Sequence, residues 1–132
     1  MNRELRPGSM APPAAAYAHG VEVPAGSRIV FTSGVVPNSP DGTTPDAIGA
    51  QAELVWHNIA GILAEANMEL YDIASITTYV VATPRLADDL REVMAARDAA
   101  LQGHLAASTL VTVPALARPE WKMEIAVIAA KS

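Results

Sequence analysis

The sequence predicts a single α/β (α+β) domain in which two helices cover one face of one mixed sheet. Two long segments repeat apolar residues every three or four positions, which is the period of an amphipathic helix. Five shorter segments are rich in β-branched and aromatic residues or alternate apolar with polar side chains, as strands do. The chain has 132 residues, close to the roughly 150 of a typical domain. The predicted order is β-β-α-β-α-β-β.

The first two strands are predicted at residues 19–23 and 28–33. Residues 24–27 between them have the composition of a turn, so we expect the two strands to form a hairpin. Residues 1–13 contain prolines, glycine and an alanine-rich stretch, and we expect them to form a flexible lead outside the fold. The domain itself is expected to span residues 14–132.

The two helices are predicted at residues 46–67 and 84–103. Asp46 is a candidate N-cap of the first helix. The second helix is expected to begin at Pro84 or the next residue, because proline is favoured in the first turn, and to end near Gly103. The apolar stripes are Ile48, Ala52, Val55, Ile59, Ile62, Leu63 and Ala66 in the first helix, and Leu86, Leu90, Val93, Met94, Arg97 and Leu101 in the second.

Three further strands are predicted at residues 73–82, 107–113 and 121–129. The first of these is a run of β-branched and aromatic residues, which is typical of a central strand. The last strand alternates side chains of two kinds, so one of its faces should be buried. The alternation sets Trp121, Met123, Ile125 and Val127 against Lys122, Glu124, Ala126 and Ile128.

The composition excludes several classes of protein. There are no cysteines, so disulfides, thiolate metal sites and a cysteine nucleophile are excluded. Nine Lys and Arg against fourteen Asp and Glu give a net charge of −5, which repels nucleic-acid phosphates. The chain has no run of about 20 apolar residues for a membrane helix, and its start lacks the apolar block of a secretory signal. We therefore expect a cytoplasmic protein without nucleic-acid or membrane partners.

Apolar residues are more frequent than a lone small domain usually hides. The chain is 51% hydrophobic and 17% charged, with a mean hydropathy of +0.22. The two helices can cover only one face of the sheet, and the other face also carries apolar residues. Self-association is the simplest way to cover that second face.

Residue types with chemical function form few patterns in the chain. The three histidines lack the spacing of metal ligands, and the chain has no glycine-rich phosphate loop, so neither a metal nor a nucleotide cofactor is expected. Ser33 and Gly34 end an apolar strand, and on their own they mark no more than its terminus. Glu124 is more informative, because a carboxylate in an apolar terminal strand must face water, a partner or a cavity.

Five short segments, in order along the chain, form a larger pattern. They are Ala16-Tyr17-Ala18-His19-Gly20-Val21, Val30-Phe31-Thr32-Ser33-Gly34, Ala50-Gln51-Ala52 with Asn58-Ile59, Ala106-Ala107-Ser108-Thr109, and Met123-Glu124-Ile125. Each segment is weak alone. Together, in this order and spacing, they resemble the RidA (YjgF) family of small enamine/imine deaminases, formerly called L-PSP endoribonucleases. The resemblance covers about residues 14–130.

The resemblance implies a chorismate-mutase-like fold assembled as a homotrimer, with the sheets lining a central barrel and three clefts between subunits. Such an assembly would account for the apolar excess. In members of this family the cleft holds a small 2-imino or 2-oxo acid. Water adds to the imine carbon and releases ammonia without a metal or an organic cofactor. The implied ligand here is a small imine, enamine or carbonyl metabolite.

Matched by position, the resemblance assigns Tyr17, Ser33, Gly34, Thr109 and Glu124 to the cleft. Glu124 would hold or activate the water as acid and base. Tyr17 and Ser33 would position the substrate. Backbone N–H groups near Gly34 and Thr109 would bind its polar end.

The chain departs from the family at the residue that binds the substrate carboxylate. Deaminating members have an arginine in a Pro-Ala-Arg-Ser-type motif, and Ala107 stands at that position. Loss of this bidentate contact, worth about 1.5–3 kcal/mol, should weaken imino-acid binding roughly tenfold to a hundredfold. Val35 and Met94 replace a glutamine and an asparagine, which makes the pocket more apolar. Arg118, in a later loop, either supplies the missing cation or is solvated.

Two functions remain open from these residues. The first is an enzyme that adds water to a less anionic imine or enamine, with a substrate range altered by the loss of the arginine. The second is a non-catalytic trimer that binds a small carbonyl metabolite or regulates a partner. RNA cleavage, to which the older family name refers, is disfavoured by the net charge of −5 and the lack of a basic stripe.

Overall fold

The computed structural model, which describes residues 1–132, contains six strands, two α-helices and one short 3-10 helix. After a first short strand that was not predicted, the strands and α-helices follow the predicted order β-β-α-β-α-β-β. The strands are β1 (Arg3–Leu5), β2 (Gly20–Glu22), β3 (Arg28–Phe31), β4 (Ile73–Val81), β5 (Ala107–Val113) and β6 (Met123–Lys131). The helices are α1 (Ile48–Glu65) and α2 (Leu86–Leu101), and the 3-10 helix spans Leu70–Asp72.

The main sheet has four strands in the order β3-β6-β4-β5. Strand β4 pairs parallel with β5 and antiparallel with β6, and β3 pairs antiparallel with β6, so the sheet is mixed as predicted. Strand β4 lies inside the sheet, which confirms the expectation of a central strand. Strands β3 and β5 form the two edges.

The predicted hairpin between the first two strands is wrong. The turn itself is present, because the N–H and the hydroxyl of Ser27 both donate to the carbonyl of Pro24. Strand β2, however, pairs with β1 in a separate two-stranded sheet, and β3 pairs with β6 at the far end of the chain. Turn composition indicates a reversal of the chain, whereas the partner of each strand depends on distant side chains that it packs against.

Residues 2–5, which belong to the lead predicted to lie outside the fold, contact the rest of the chain. Strand β1 pairs antiparallel with β2, and Arg3 forms an exposed ion pair with Glu22 at 3.1 Å. The Asn2 side-chain amide donates to the carbonyls of Asp72 and Ala130, at 3.2 Å each. Residues 2–5 therefore contact the structured part of the chain directly.

Helix α1 begins two residues after its predicted N-cap. Its N-cap is Ala47, which makes no side-chain hydrogen bond, so the prediction of Asp46 as the cap is wrong. The carbonyl of Asp46 instead accepts a hydrogen bond from the Lys122 ammonium. The predicted stripe of α1 is buried except for Ile62, which is 40% exposed, and Ala66, which is half-buried.

The core lies between the two helices and one face of the main sheet. Every second residue of β6 from Met123 points into it, which confirms the alternation read from the sequence. The side chains of Ile59 and Leu63 on α1 are fully buried in the same cluster as Ile76, Val80, Ile125 and Val127 of the sheet. Burial of each such side chain contributes about 1.5–3 kcal/mol.

The opposite face of the sheet remains open and carries large apolar side chains. Phe31 on β3 is 70% exposed and lies directly opposite Ile128 on β6, which is 39% exposed. Ile29 and Val111 are also exposed on the two edge strands. We call this surface, defined by Ile29, Phe31, Val111 and Ile128, the open face.

Candidate functional site

Glu124 lies beside the backbone of Gly34. Val35 holds Gly34 in place, because its N–H donates to the carbonyl of Ile125 at 2.7 Å and its carbonyl accepts from the N–H of Ile125 at 3.2 Å. A Cβ atom at position 34 would lie 1.8 Å from Oε2 of Glu124, far inside van der Waals contact. Only glycine at position 34 leaves room for the carboxylate in this orientation.

A cavity of about 320 Å³ opens next to this carboxylate. It is lined by Gly34, Tyr79, Leu116, Glu124 and Ala126, so the carboxylate is the one charged group in its wall. Tyr79 reaches it because β4 pairs with β6 in the register that sets Tyr79 opposite Glu124. Glu124 is half-buried and has no salt-bridge partner in the chain. An unpaired carboxylate in such a place is suited to accept a proton from bound water.

The N–H group of Gly34 is a second polar group at this point. It makes no hydrogen bond within the chain. Ser33, which precedes it, is exposed, and its carbonyl accepts a hydrogen bond from the hydroxyl of Thr32. The segment after β3 thus has a free N–H donor at Gly34, next to the Glu124 carboxylate, and the exposed Ser33 beside it in the chain.

Tyr17 lies elsewhere, along the edge strand β5. The N–H of Ala18 donates to the carbonyl of Ala106 at 2.9 Å, and Ala18 forms an isolated parallel bridge with Ala107. These contacts place Tyr17 in the wall of a second cavity, of about 280 Å³. That cavity is lined by Ala15, Tyr17, Leu90, Met94, Arg97, Ser108 and Leu110.

Ala107 and Thr109 lie on β5 and alternate with Ser108. Thr109 is exposed and pairs with Thr77, which in turn pairs with Ala126 in the wall of the Glu124 cavity. Neither Ala107 nor Thr109 lines either cavity. Within one chain, the residues that the resemblance assigned to a single cleft therefore fall into two groups, one near Glu124 and one along β5.

Arg118 stays away from both cavities. Its guanidinium lies over the ring of Trp121, 5.8 Å from the ring centroid, and its side chain is exposed. The indole N–H of Trp121 donates to the side-chain oxygen of Asn38 and so fixes the ring. Leu116, from the same loop, reaches the Glu124 cavity instead. Within the chain, Arg118 supplies no cation to that cavity.

Tyr79, Leu116 and Arg97 line the two cavities and are not among the candidate site residues predicted from the sequence. Tyr79 and Leu116 could not be found there, because their proximity to Glu124 depends on strand register and loop path. Arg97 carried a signal, since a charged residue stands in an otherwise apolar stripe of α2. In the structure Arg97 is buried, with 6% of its surface exposed.

The three histidines belong to no metal-binding cluster. His104 bonds through Nε2 to the carbonyl of Ile73 at 2.8 Å, and His57 is exposed on α1. No three His, Asp or Glu side chains come together as a metal site. Neither helix is both long enough and apolar enough to cross a membrane.

The chain belongs to the endoribonuclease L-PSP family, whose model matches residues 8–131. This match, with the structural likenesses, confirms the resemblance to the RidA (YjgF) family. The fold is similar to that of YyfB, a Rid-family protein of Yersinia pestis, with a TM-score of 0.87 and 29% identity over 98% of each chain. It is also similar to Escherichia coli TdcF with bound serine, with a TM-score of 0.72 and 28% identity over 96% of this chain and 93% of that one.

A yeast protein, the mitochondrial protein MMF1 of Saccharomyces cerevisiae, is 34% identical over 73 residues. The aligned segment spans 54% of this chain and 48% of the yeast protein, about half of each. The family and the fold are thus established for this chain. The reaction, the ligand and the assembly are matters for proposal.

Proposed function

We propose that the protein hydrolyses small imines or enamines, with Glu124 as the acid and base that adds water to the C=N carbon. The observation that carries this proposal is the placement of an unpaired carboxylate against a glycine backbone, in the wall of a cavity with no other charged group. Membership of the Rid family, for which the resemblance implies enamine/imine chemistry, supports it.

The reaction needs one carboxylate and one water molecule. Glu124 takes a proton from the water as the water oxygen bonds to the imine carbon, and it passes that proton to the imine nitrogen, which receives the π electrons of the C=N bond. In the resulting aminoalcohol, Glu124 removes the hydroxyl proton and transfers a proton to the nitrogen. The C–N bond then breaks, giving a carbonyl compound and ammonia, with Glu124 returned to its starting state. The free N–H of Gly34 is available to bind the polar end of the substrate.

The proposed site is completed between copies of the chain in a homotrimer. Two features support this assembly. The open face exposes Phe31 to 70%, which is unusual for a large aromatic residue. Tyr17 and Thr109 lie along the edge strand β5, apart from the cavity that contains Glu124. A neighbouring chain packed on the open face would bring its own β5 residues towards Glu124.

The substrate is proposed to be less anionic than a free 2-imino acid. Ala107 offers no charge on β5, and Arg118 is stacked on Trp121. The Glu124 cavity already contains one negative charge and no cation to offset a second. The structure of the relative TdcF contains bound serine, which supports a ligand of amino-acid size rather than a macromolecule. The expected cytoplasmic location stays a prediction.

Ammonia release from imines generated in situ tests the reaction. Two series are compared, imines of free amino acids and imines of the corresponding amino-acid amides. We expect turnover of the amide series, with a loss of about 10²-fold or more in Glu124→Gln. Glu120→Gln, a change at an exposed acid nearby, is the matched control and should retain activity. Absence of ammonia above the uncatalysed rate from both series, with an intact oligomer, would overturn the proposal.

The second candidate is a trimer that binds a carbonyl metabolite without turnover, and the alanine at position 107 favours it. Ala107→Arg distinguishes the two functions. If the rest of the site is competent, this variant should gain hydrolysis of free imino acids. If the protein only binds, it should gain affinity for 2-oxo acids and release no ammonia.

A further inference from the structure

Arg97 is a buried guanidinium with few partners. It lies on α2 between the buried residues Val93 and Leu101, and 6% of its surface is exposed. Its Nε donates to Oδ1 of Asp98 at 3.1 Å. Its Nη2 is 3.0 Å from the same oxygen but makes no hydrogen bond to it or to any other atom. A guanidinium has five N–H donors, and the chain provides an acceptor for one of them, at Nε.

The pairing with Asp98 does not satisfy this buried charge. The Asp98 side chain is 51% exposed, and water screens its attraction to the guanidinium. A buried cation with unpaired donors is strongly disfavoured unless further acceptors complete it. Buried polar groups without partners are rare in folded proteins, and each calls for an explanation, of which a bound ion or ligand is one.

The cavity beside Arg97 has the dimensions and walls for such a partner. Its volume of about 280 Å³ corresponds to about nine water molecules in the liquid. Arg97 is the one charged residue in its wall. Tyr17 and Ser108 contribute hydroxyl groups, and Leu90 and Met94 contribute apolar surface. A ligand that fits has one anionic end and a short aliphatic body.

Within one chain, this cavity is distinct from the one that contains Glu124. The two share no lining residue. Ser108 lines the Arg97 cavity, while its neighbours Ala107 and Thr109 alternate to the opposite face of β5. An anion at Arg97 therefore does not stand where the arginine of the deaminating relatives would place a carboxylate, on the side of Ala107.

We propose that the Arg97 cavity binds a small aliphatic carboxylate, whose oxygens accept hydrogen bonds from the guanidinium and whose chain packs on Leu90 and Met94. A charge-assisted bond to a carboxylate satisfies Nη2, and Tyr17 and Ser108 are the residues in the cavity wall that carry a hydroxyl group. The proposal does not depend on imine hydrolysis in the other cavity.

Butanoate is the probe, and calorimetry and NMR are the measurements. We expect saturable binding of one butanoate per chain. Neutral butanamide and inorganic phosphate should bind at least tenfold more weakly. With methyl-labelled methionine, the Met94 signal should shift during the titration, while the buried core residues Met68 and Met123 should not. The Met94 signal is assigned by its loss in Met94→Leu.

Variants on α2 and β6 locate the site. Arg97→Met should weaken butanoate binding at least tenfold, while Arg91→Met, at an exposed arginine of the same helix, should leave it unchanged. Glu124→Gln should also leave it unchanged, because it alters the other cavity. If Arg97→Met does not fold, the wild-type methyl titration and butanoate binding by Arg97→Lys test the proposal instead. Lysine keeps the positive charge and loses the planar, forked donor geometry of the guanidinium.

Several results would overturn the proposal. Absence of saturable butanoate binding would do so, as would equal binding by Arg97→Met or equal affinity for butanamide. Tighter binding of phosphate than butanoate would assign the cavity to a different ligand. If wild type binds no butanoate and Arg97→Met changes the sedimentation mass, the partner of the guanidinium is a carboxylate of another copy of the chain.

Discussion

Gly34 and Glu124 are matched to one another, since the Glu124 carboxylate occupies the space that a side chain at position 34 would need. The overlap is with Oε2 itself, at 1.8 Å, and with Cδ at 3.0 Å. Strand β6 fixes the backbone of Glu124, so a side chain at position 34 would have to turn the carboxylate away. Position 34 therefore controls the direction of the proposed catalytic group.

The first prediction is that Gly34→Ala impairs the proposed reaction without unfolding the protein. Displacement of the carboxylate by about an ångström should reduce kcat/KM for ammonia release about 10²-fold. Gly61→Ala is the matched control. Gly61 lies in α1, and a Cβ atom at this position would have no neighbouring atom within 4 Å. That control should raise the free energy of unfolding by about 0.5–1 kcal/mol and leave the rate unchanged. A wild-type rate in Gly34→Ala, beside an inactive Glu124→Gln, would contradict this account.

The second prediction concerns the fully buried side chain of Gln51. Its amide donates to the carbonyls of Pro45 and Glu120, at 2.8 and 2.9 Å, and its oxygen accepts from the N–H of Lys122 at 2.9 Å. Gln51→Leu leaves all three backbone groups without this partner, so the free energy of unfolding should fall by about 2–4 kcal/mol.

Urea denaturation measures the effect of Gln51→Leu, with Glu53→Ala, at an exposed position of the same helix, as the control. The control should change stability by no more than about 0.5 kcal/mol. A loss in Gln51→Leu as small as that would show that the three backbone groups find other partners. Because Glu120 and Lys122 end the loop that carries Leu116, the variant should also disturb the Glu124 cavity.

The third prediction tests the proposed trimer through the open face. Sedimentation should give a mass near three times 13.8 kDa for the wild type and a mass shifted towards 13.8 kDa for Phe31→Glu. Ile62→Glu, at an exposed apolar residue on the outer side of α1, is the control and should keep the wild-type mass. A wild-type mass of one chain would remove the proposed cleft between subunits.

The fourth prediction is a titration at Asp41. The hydroxyl and the N–H of Thr43 both donate to Oδ1 of Asp41, and these hydrogen bonds lower the pKa of Asp41 below its ordinary value of 3.8. The stabilisation of the loop is therefore fully present above pH 3.8 and is lost as the pH falls through the lower pKa of the folded state. In Thr43→Ala the pKa of Asp41, measured by carboxyl NMR, should rise towards 3.8. An unchanged pKa would exclude the threonine hydroxyl as its main cause.

Much of the secondary structure could be read from side-chain periods. Strand β5 has the predicted bounds of residues 107–113, and both helices begin and end within about two residues of their predictions. Each of these elements is specified by residues that are near one another in the chain. Both β2 and β3 were predicted as strands, and only their pairing with each other as a hairpin was wrong.

The candidate site also has one part that the sequence predicted and one part that only the structure shows. Glu124 was found from the sequence, because a carboxylate in an apolar strand is a local anomaly. Its fit against Gly34 depends on the pairing of two segments about ninety residues apart, and no local pattern encodes that distance. The separation of Tyr17 from Glu124 likewise follows from strand order, since β5 is an edge strand and β6 lies inside the sheet.

The sequence by itself determined the family, the types and order of most elements, and the acidic, cysteine-free character of the chain. The family was indicated by the resemblance of five short segments in order along the chain. The other properties follow from composition and from periods of two or of three to four residues. Only the tertiary structure decided that β1 pairs with β2, that Gly34 lies against Glu124, and that Arg97 is buried beside a cavity. The physical reason is that strand pairing and burial depend on the sum of many contacts between distant segments. Each of these contacts is weak, and none of them produces a recognisable local sequence pattern.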